Sequence, residues 1–473
     1  MEFINLPYLL LYLPLIFSVI SILTPYKKLS ISIVITSVLV QLSILVFLIP
    51  DLVVNESLSH KINDEILFLA GEYRITPGNL CFLFCTFLIE LISLINYKQE
   101  SEELELTENK KFFYAFYILN YFAISGIFLT NNIFNLYFYL EIYSFTLYAL
   151  IANYRDTNSS VVAFSYYIGG VFGSIILLLF SFLIYIKFGT TDIDIIRASI
   201  PRILNKDLLS LASLLMLFLI GMISKFFSFW AYFSTIKKSI KVVSYLFISL
   251  MFIHVVIGSY LIINFFYYIV GTKIIFDIMH LEYALYFLGG AMIVYNSYKI
   301  MRTANLFFIV LSLCLISLGY VLIVLANSNN FSLEGIVLFL MDHFSANLLL
   351  YFIVSFLIYN FQTVDIHYLK SLKSHSFIIY AIILSKLFIP IGSNFPAVWF
   401  YLNSVFESSN YFLLIPFFAE KIAVASILFK VRNVFLSNIE IEDFDLYEDP
   451  NNKRYLASMY LMFFLTIMLM FLS

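Results

Sequence analysis

Fourteen stretches of about 20 mainly apolar residues follow one another along the chain, and that is the length a helix needs to cross the hydrocarbon core of a bilayer. They run Tyr8–Thr24, Leu29–Ile49, Cys81–Tyr97, Phe113–Leu129, Asn135–Tyr154, Val161–Ile186, Leu208–Tyr232, Val242–Tyr268, Leu281–Tyr298, Leu306–Ala326, Ile336–Tyr359, Phe377–Val405, Phe412–Phe429 and Tyr455–Leu472. The pattern predicts an all-α, polytopic membrane protein of about 14 transmembrane helices. Only 12% of the residues are charged, against about 25% in soluble domains, and the mean hydropathy is +0.95. No stretch is left for a sizeable soluble domain.

The first stretch lacks the basic flank and small-residue cleavage site of a signal peptide, with Glu2 before it, and reads as the first membrane helix. Cys81, Cys85 and Cys314 all fall inside spans, where they behave as small apolar residues and imply neither disulfide nor metal site. No redox-cofactor motif is present and nothing points to nucleic acid, so no cofactor is expected. The 27 Lys and Arg residues are unevenly placed. Seventeen lie in loops after odd-numbered spans, seven after even-numbered ones, and Lys225, Lys386 and Lys421 within spans. The excess of basic residues marks the odd loops as cytoplasmic and puts both termini outside.

Ionisable side chains inside the spans are the functional candidates, because a charge at mid-bilayer costs roughly 2.5 to 3.5 kcal/mol on insertion scales. Glu141 lies in the fifth span, with Ser144 and Tyr148 on the same helical face. A carboxylate paired quietly with a neighbouring helix is the plainer alternative. Glu90 lies in the third span, Lys225 in the seventh and His254 in the eighth. Asp342, His343 and Asn347 follow in the eleventh, Lys386 in the twelfth, and Glu420 beside Lys421 in the thirteenth. In the sixth, Gly169, Gly170, Gly173 and Ser174 form a small-residue face for close helix packing.

The twelfth span is broken. Pro390 and Pro396 each remove a backbone donor and Gly392 loosens the backbone between them, so the segment should unwind where carbonyls can line a cavity. Interrupted helices at mid-membrane form ion sites in secondary transporters, and a kink that only shapes packing is the other reading.

Four segments now resemble one family: the antiporter-type subunits shared by respiratory complex I and Mrp-type multisubunit cation/proton antiporters. They are YLEIYSFTLYALI around Glu141, the stretch from Ser165 to Ile193, HFSANLLLYFIVS from His343, and IPIGSNFPAVWF from Ile389. The resemblance implies two inverted five-helix repeats, residues 112–270 and 271–432, flanked by an N-terminal part, 1–111, and a last helix in 433–473. It also implies ionisable groups along the membrane midplane, with Glu141, Lys225, His254 and His343 matching family positions. Asn347, Val398 or Trp399, the Phe307-Phe308 pair and Ser165 stand where the family carries basic residues.

The function implied is a proton- or cation-translocating subunit, for H+ or Na+, without catalytic chemistry of its own. Its partners would be other membrane subunits and the lipid bilayer, in a bacterial inner membrane or a mitochondrial inner membrane. A non-conducting structural paralogue in such a complex is the alternative, favoured by the missing lysines. A lipid-linked transferase would need a catalytic cluster in an outside loop, and the acidic 51–78 loop shows no such motif. Of the candidates to replace the lost lysines, Lys386 lies four residues, about 6 Å, before Pro390. Glu420 and Lys421 leave their helix about 100° apart, which disfavours a shared cavity and makes Lys386 the expected distal carrier.

Overall fold

Backbone groups in a bilayer find no water, so a spanning segment must close its hydrogen bonds internally as helix. The computed structural model follows that rule. It describes residues 6–24, 27–55, 57–62, 71–103, 110–153, 157–203, 207–233, 245–271, 274, 280–327, 336, 347–361, 363–386, 394–437 and 460. The chain divides into two compact units, Met1–Val270 and Gly271–Ser473.

The first unit holds α1 (Leu6–Leu23), α2 (Lys27–Asn55), β1 (Leu58–Ile62), β2 (Gly71–Ile75), α3 (Pro77–Glu103) and α4 (Lys110–Leu129). It continues through α5 (Ile133–Ala152), α6 (Thr157–Phe188), α7 (Ile193–Ile203), α8 (Leu208–Phe233) and α9 (Tyr245–Ile263), which runs on as a π-helical turn, Asn264–Val270. The second unit holds α10 (Glu282–Arg302), α11 (Leu306–Asn327) and α12 (Leu348–Phe361), then a 3-10 segment, Ile366–His375. After it come α13 (Ser376–Lys386), α14 (Asn394–Ser408) and α15 (Leu414–Leu436).

Among the described residues, eight helices are long and apolar enough to cross a membrane, which makes this a multi-pass membrane protein. Fourteen were expected. α5 and α10 stand where spans are expected but fall outside the eight; α5 carries four tyrosines as well as Glu141 and buries half of its 20 residues against protein. The last expected span, apart from Tyr460, and much of the eleventh, with Asp342 and His343, lie outside the described residues. Within the apolar windows, α11 is 89% buried and the corresponding part of α6 only 39%, so α11 is a core helix and α6 turns a broad apolar face outward.

Two elements form outside the expected spans, and the first of them is not helical. The acidic loop after α2 folds into an antiparallel hairpin, Leu58 opposite Ile75 and Ile62 opposite Gly71, with Tyr73 and Ile75 buried. Tyr73 then meets Tyr139 of α5, hydroxyl to hydroxyl at 2.7 Å. The connector after α6 forms the short amphipathic α7, whose Ile193, Ile196 and Ile200 are buried. Asp194 of α7 accepts from Arg74 at 3.3 Å, Asn131 at 3.0 Å and Tyr268 at 2.8 Å, tying hairpin, turn and π-helical turn together.

Where one broken twelfth helix is expected, α13 ends at Lys386 and α14 starts at Asn394; residues 387–393, with Pro390 and Gly392, lie outside the described residues. Pro396 is the third residue of α14, a position whose N–H would have no acceptor within the helix.

Among the described residues, a small clasp of the same kind occurs in each unit. Before α5, Asn132 bridges Asp192, through Ile133 N–H to Thr191 O (3.0 Å) and Ile193 N–H to Asn131 O (2.9 Å). Before α11, Asn305 bridges Asp365, through Leu306 N–H to Val364 O (2.8 Å) and Ile366 N–H to Ala304 O (3.0 Å). Each Asn accepts a backbone N–H of the helix it opens, and each Asp accepts one from the segment after it. The Asn and Asp are sixty residues apart in both (132 to 192, 305 to 365), which gives the two units a common register.

Candidate functional site

Asn132 fixes the start of α5, since its extended backbone leaves its side chain free to accept from Phe134 N–H (2.9 Å) and Asn135 N–H (3.2 Å). From that cap the helix carries Glu141 about 12 Å along its axis. There α5, α6 and α8 converge. Lys225 of α8 donates to Glu141 Oε1 at 2.5 Å and to Ser174 Oγ of α6 at 2.7 Å. Ser174 in turn donates to Gly170 O at 3.1 Å, which leaves its oxygen lone pairs facing the ammonium.

Gly173 makes this approach possible. A Cβ on it would lie 2.5 Å from the Lys225 backbone nitrogen and 2.7 Å from its Cα, so α6 and α8 touch backbone to backbone there. The small-residue face expected of the sixth span therefore serves one particular residue. The pair is asymmetric: the Lys225 side chain is 3% exposed and that of Glu141 36%. Ser144 and Tyr148 follow Glu141 at i+3 and i+7, and the Ser144 hydroxyl donates to Leu140 O at 2.9 Å.

His254 of α9 is buried, within electrostatic reach of Lys225. Its Nδ1 is 3.3 Å from the Tyr143 hydroxyl, and the two rings stack with centroids 5.7 Å apart. Phe226, next to Lys225 in sequence, closes over the imidazole at 4.3 Å. Tyr143 was not singled out from the sequence. Its signal was its place two residues after Glu141, which turns it to the other side of α5, toward α9.

In the second unit Glu420 of α15 is 3% exposed and accepts from Tyr320 of α11 at 2.8 Å. Lys421 lies 2.8 Å from the same carboxylate and donates to Lys386 O at 2.9 Å. The two side chains do leave α15 in different directions, but the long lysine stem folds back and closes the gap. Lys386 is 4% exposed, lines an apolar cavity of ≈20 Å³ with Leu313 and Val424, and reaches Cys314 electrostatically. Asn347 donates to Ser317 at 3.5 Å. His343, Pro390 and Gly392 lie outside the described residues.

Counted at the offset between the two clasps (132 to 305), residues of the two units pair as follows. Ser144 falls on Ser317 and Ser174 on Asn347, which contact each other in the second unit. Glu141 falls on Cys314 and Lys225 on Val398. The carboxylate and lysine of the first unit have no counterparts at those positions in the second.

The sequence pattern of one protein family, NADH:quinone oxidoreductase/Mrp antiporter, TM, matches residues 130–423. Three solved structures are similar in fold. A chain of the membrane-bound sulfane sulfur reductase, an archaeal respiratory membrane complex, aligns with a TM-score of 0.79 at 18% identity, over 98% of this chain and 75% of that one. A chain of the Mrp complex from Dietzia sp. DQ12-45-1b aligns at 0.79 and 14% identity, over 100% and 95%. A chain of respiratory complex I from Thermus thermophilus aligns at 0.73 and 13% identity, over 98% and 95%. No curated protein matches by sequence.

Proposed function

Because the chain belongs to the NADH:quinone oxidoreductase/Mrp antiporter transmembrane family, we propose that it is a proton- or cation-translocating subunit of a hetero-oligomeric membrane complex of that kind. One observation carries the reading: Lys225 Nζ, 3% exposed, is held 2.5 Å from Glu141 by three converging helices. A lone ammonium in a low-dielectric interior is costly, and an adjacent carboxylate offsets that cost. Proton arrival on Glu141, or withdrawal of its side chain, leaves the ammonium without that partner. The Lys225 proton then passes toward His254, leaving a neutral amine and an imidazolium, and returns when Glu141 is again an anion. No redox centre is required of this chain.

The finer architecture belongs to the same proposal: fourteen helices, with repeats in 112–270 and 271–432 inverted with respect to each other, and 1–111 and 433–473 flanking them. The duplicated clasp supports a repeat. In the second unit Lys386 takes the distal role, with Lys421, paired to Glu420, as the alternative. The basic-residue asymmetry supports both termini outside, in a bacterial inner or mitochondrial inner membrane, with H+ or Na+ as the ion.

Cys314 and Val398 favour a second reading, a subunit that keeps its place in the complex without conducting. Glu141→Gln separates the two, since it removes the titratable charge and conserves shape. In membrane vesicles carrying the assembled complex, translocation followed by a pH-sensitive dye should fall at least about tenfold, the scale of losing a proton-transfer group. Full translocation by a correctly assembled variant would leave the non-conducting reading standing.

A further inference from the structure

Glu90 of α3 is 0% exposed, more deeply enclosed than Glu141, and takes no part in the pathway above. Two hydroxyls from successive turns of α4 close on one of its oxygens: Tyr117 donates to Oε2, and Tyr121 donates to the same atom at 3.4 Å. Tyr143 of α5 packs on the same stretch of α4, where Asn120, next to Tyr121, donates to its backbone oxygen at 3.4 Å, and its hydroxyl meets His254. α2 and α9 also pack on α3, and Gln41 of α2 and His254 of α9 are themselves buried. Titratable and hydroxyl groups therefore follow one another from Glu141 and Lys225, through His254 and Tyr143, to Glu90 and its tyrosines.

We propose that Glu90 is a second proton-carrying carboxylate of the first unit, the end of a branch that leaves the Lys225 pathway at His254 and runs through the Tyr143 hydroxyl. The proposal rests on the translocation reading given above. A hydroxyl both donates and accepts, so it relays a proton without net change of charge. One proton leaves the His254 imidazolium, each intervening tyrosine gives up its own proton as it accepts the next, and one arrives on the Glu90 carboxylate. At the end the imidazole is neutral, the tyrosines are unchanged and the carboxyl is protonated. A fixed polar pin between α3 and α4 needs none of this, because a glutamine oxygen accepts the same two tyrosine bonds.

Glu90→Gln therefore distinguishes carrier from pin, tested in the assembled complex in its membrane. Two quantities are measured: translocation by dye response, and the protonated-carboxyl band in infrared difference spectra between acid and alkaline buffer. The expected result is a fall in translocation of about tenfold or more together with loss of one carboxyl band. Tyr143→Phe should slow translocation while leaving assembly intact, and combining it with Glu90→Gln should add little, because both cut one branch. If Glu141→Gln slows translocation while Glu90→Gln leaves both rate and carboxyl bands unchanged, the branch is overturned and the main pathway stands. If neither variant slows it, both readings fall. Should Glu90→Gln prevent assembly, Tyr143→Phe decides alone, and an undiminished rate in that variant overturns the branch.

Discussion

Gly173 and Lys225 touch through their backbones: the Cβ that Gly173 lacks would lie 2.5 Å from the Lys225 nitrogen. The position of the charged pair is thus set by an absent side chain on a third helix. Gly173→Ala must push α6 and α8 apart, since the obstruction is main chain and cannot rotate away. Overpacking of this kind costs about 1–3 kcal/mol. We expect a lower thermal inactivation midpoint for the complex together with reduced translocation. An alanine variant with the native midpoint and rate would show that the helices separate without loss.

Lys225→Arg tests whether the charge or its release matters. Arginine keeps a cation beside Glu141, but its guanidinium is not deprotonated in proteins. The variant should assemble and yet translocate at least about tenfold more slowly, the scale of losing an acid–base group. Assembly is read by co-purification of the partner subunits and translocation by dye response. Native translocation in Lys225→Arg would mean that Lys225 only balances the charge of Glu141.

The duplicated clasp makes a prediction about stability. Asp192 accepts Asp194 N–H at 3.0 Å, and Asp365 accepts His367 N–H at 3.1 Å. Removing such a cap typically costs about 1 kcal/mol. Asp192→Ala and Asp365→Ala should therefore lower the inactivation midpoint by similar small amounts. A silent Asp365→Ala beside a costly Asp192→Ala would argue against equivalent roles.

Glu141 and Lys225 were legible in the sequence because a charge in hydrocarbon is expensive and does not stand there without a reason. Their contact spans 84 residues, and no local pattern encodes it. Tyr143 was not legible, since a tyrosine in an aromatic-rich span carries no cost that marks it. The hairpin at Leu58–Ile75 was hidden for a similar reason: five-residue strands in an acidic loop give too few alternations to stand out. Glu420 and Lys421 show the limit of helix geometry, because the angle between their Cβ directions was right while the reach of a four-carbon stem decided the contact.

The register places Cys314 where the first unit has Glu141, with Lys386 in electrostatic reach of it. At that position the second unit has a thiol in place of the carboxylate, with a buried lysine in reach of it. Cys314→Glu should then find a partner. The larger side chain brings an overpacking cost that is the same with or without the lysine, so a double-mutant cycle with Lys386→Met removes it. In the Lys386→Met background the new carboxylate is a buried charge without its cation, a situation that costs about 3–5 kcal/mol. The combined variant should thus be less stable than the sum of the two single changes, by about 1–3 kcal/mol read from inactivation midpoints. Additive effects would mean that the introduced carboxylate does not meet the lysine, and the residue correspondence drawn from the clasps would fail with it.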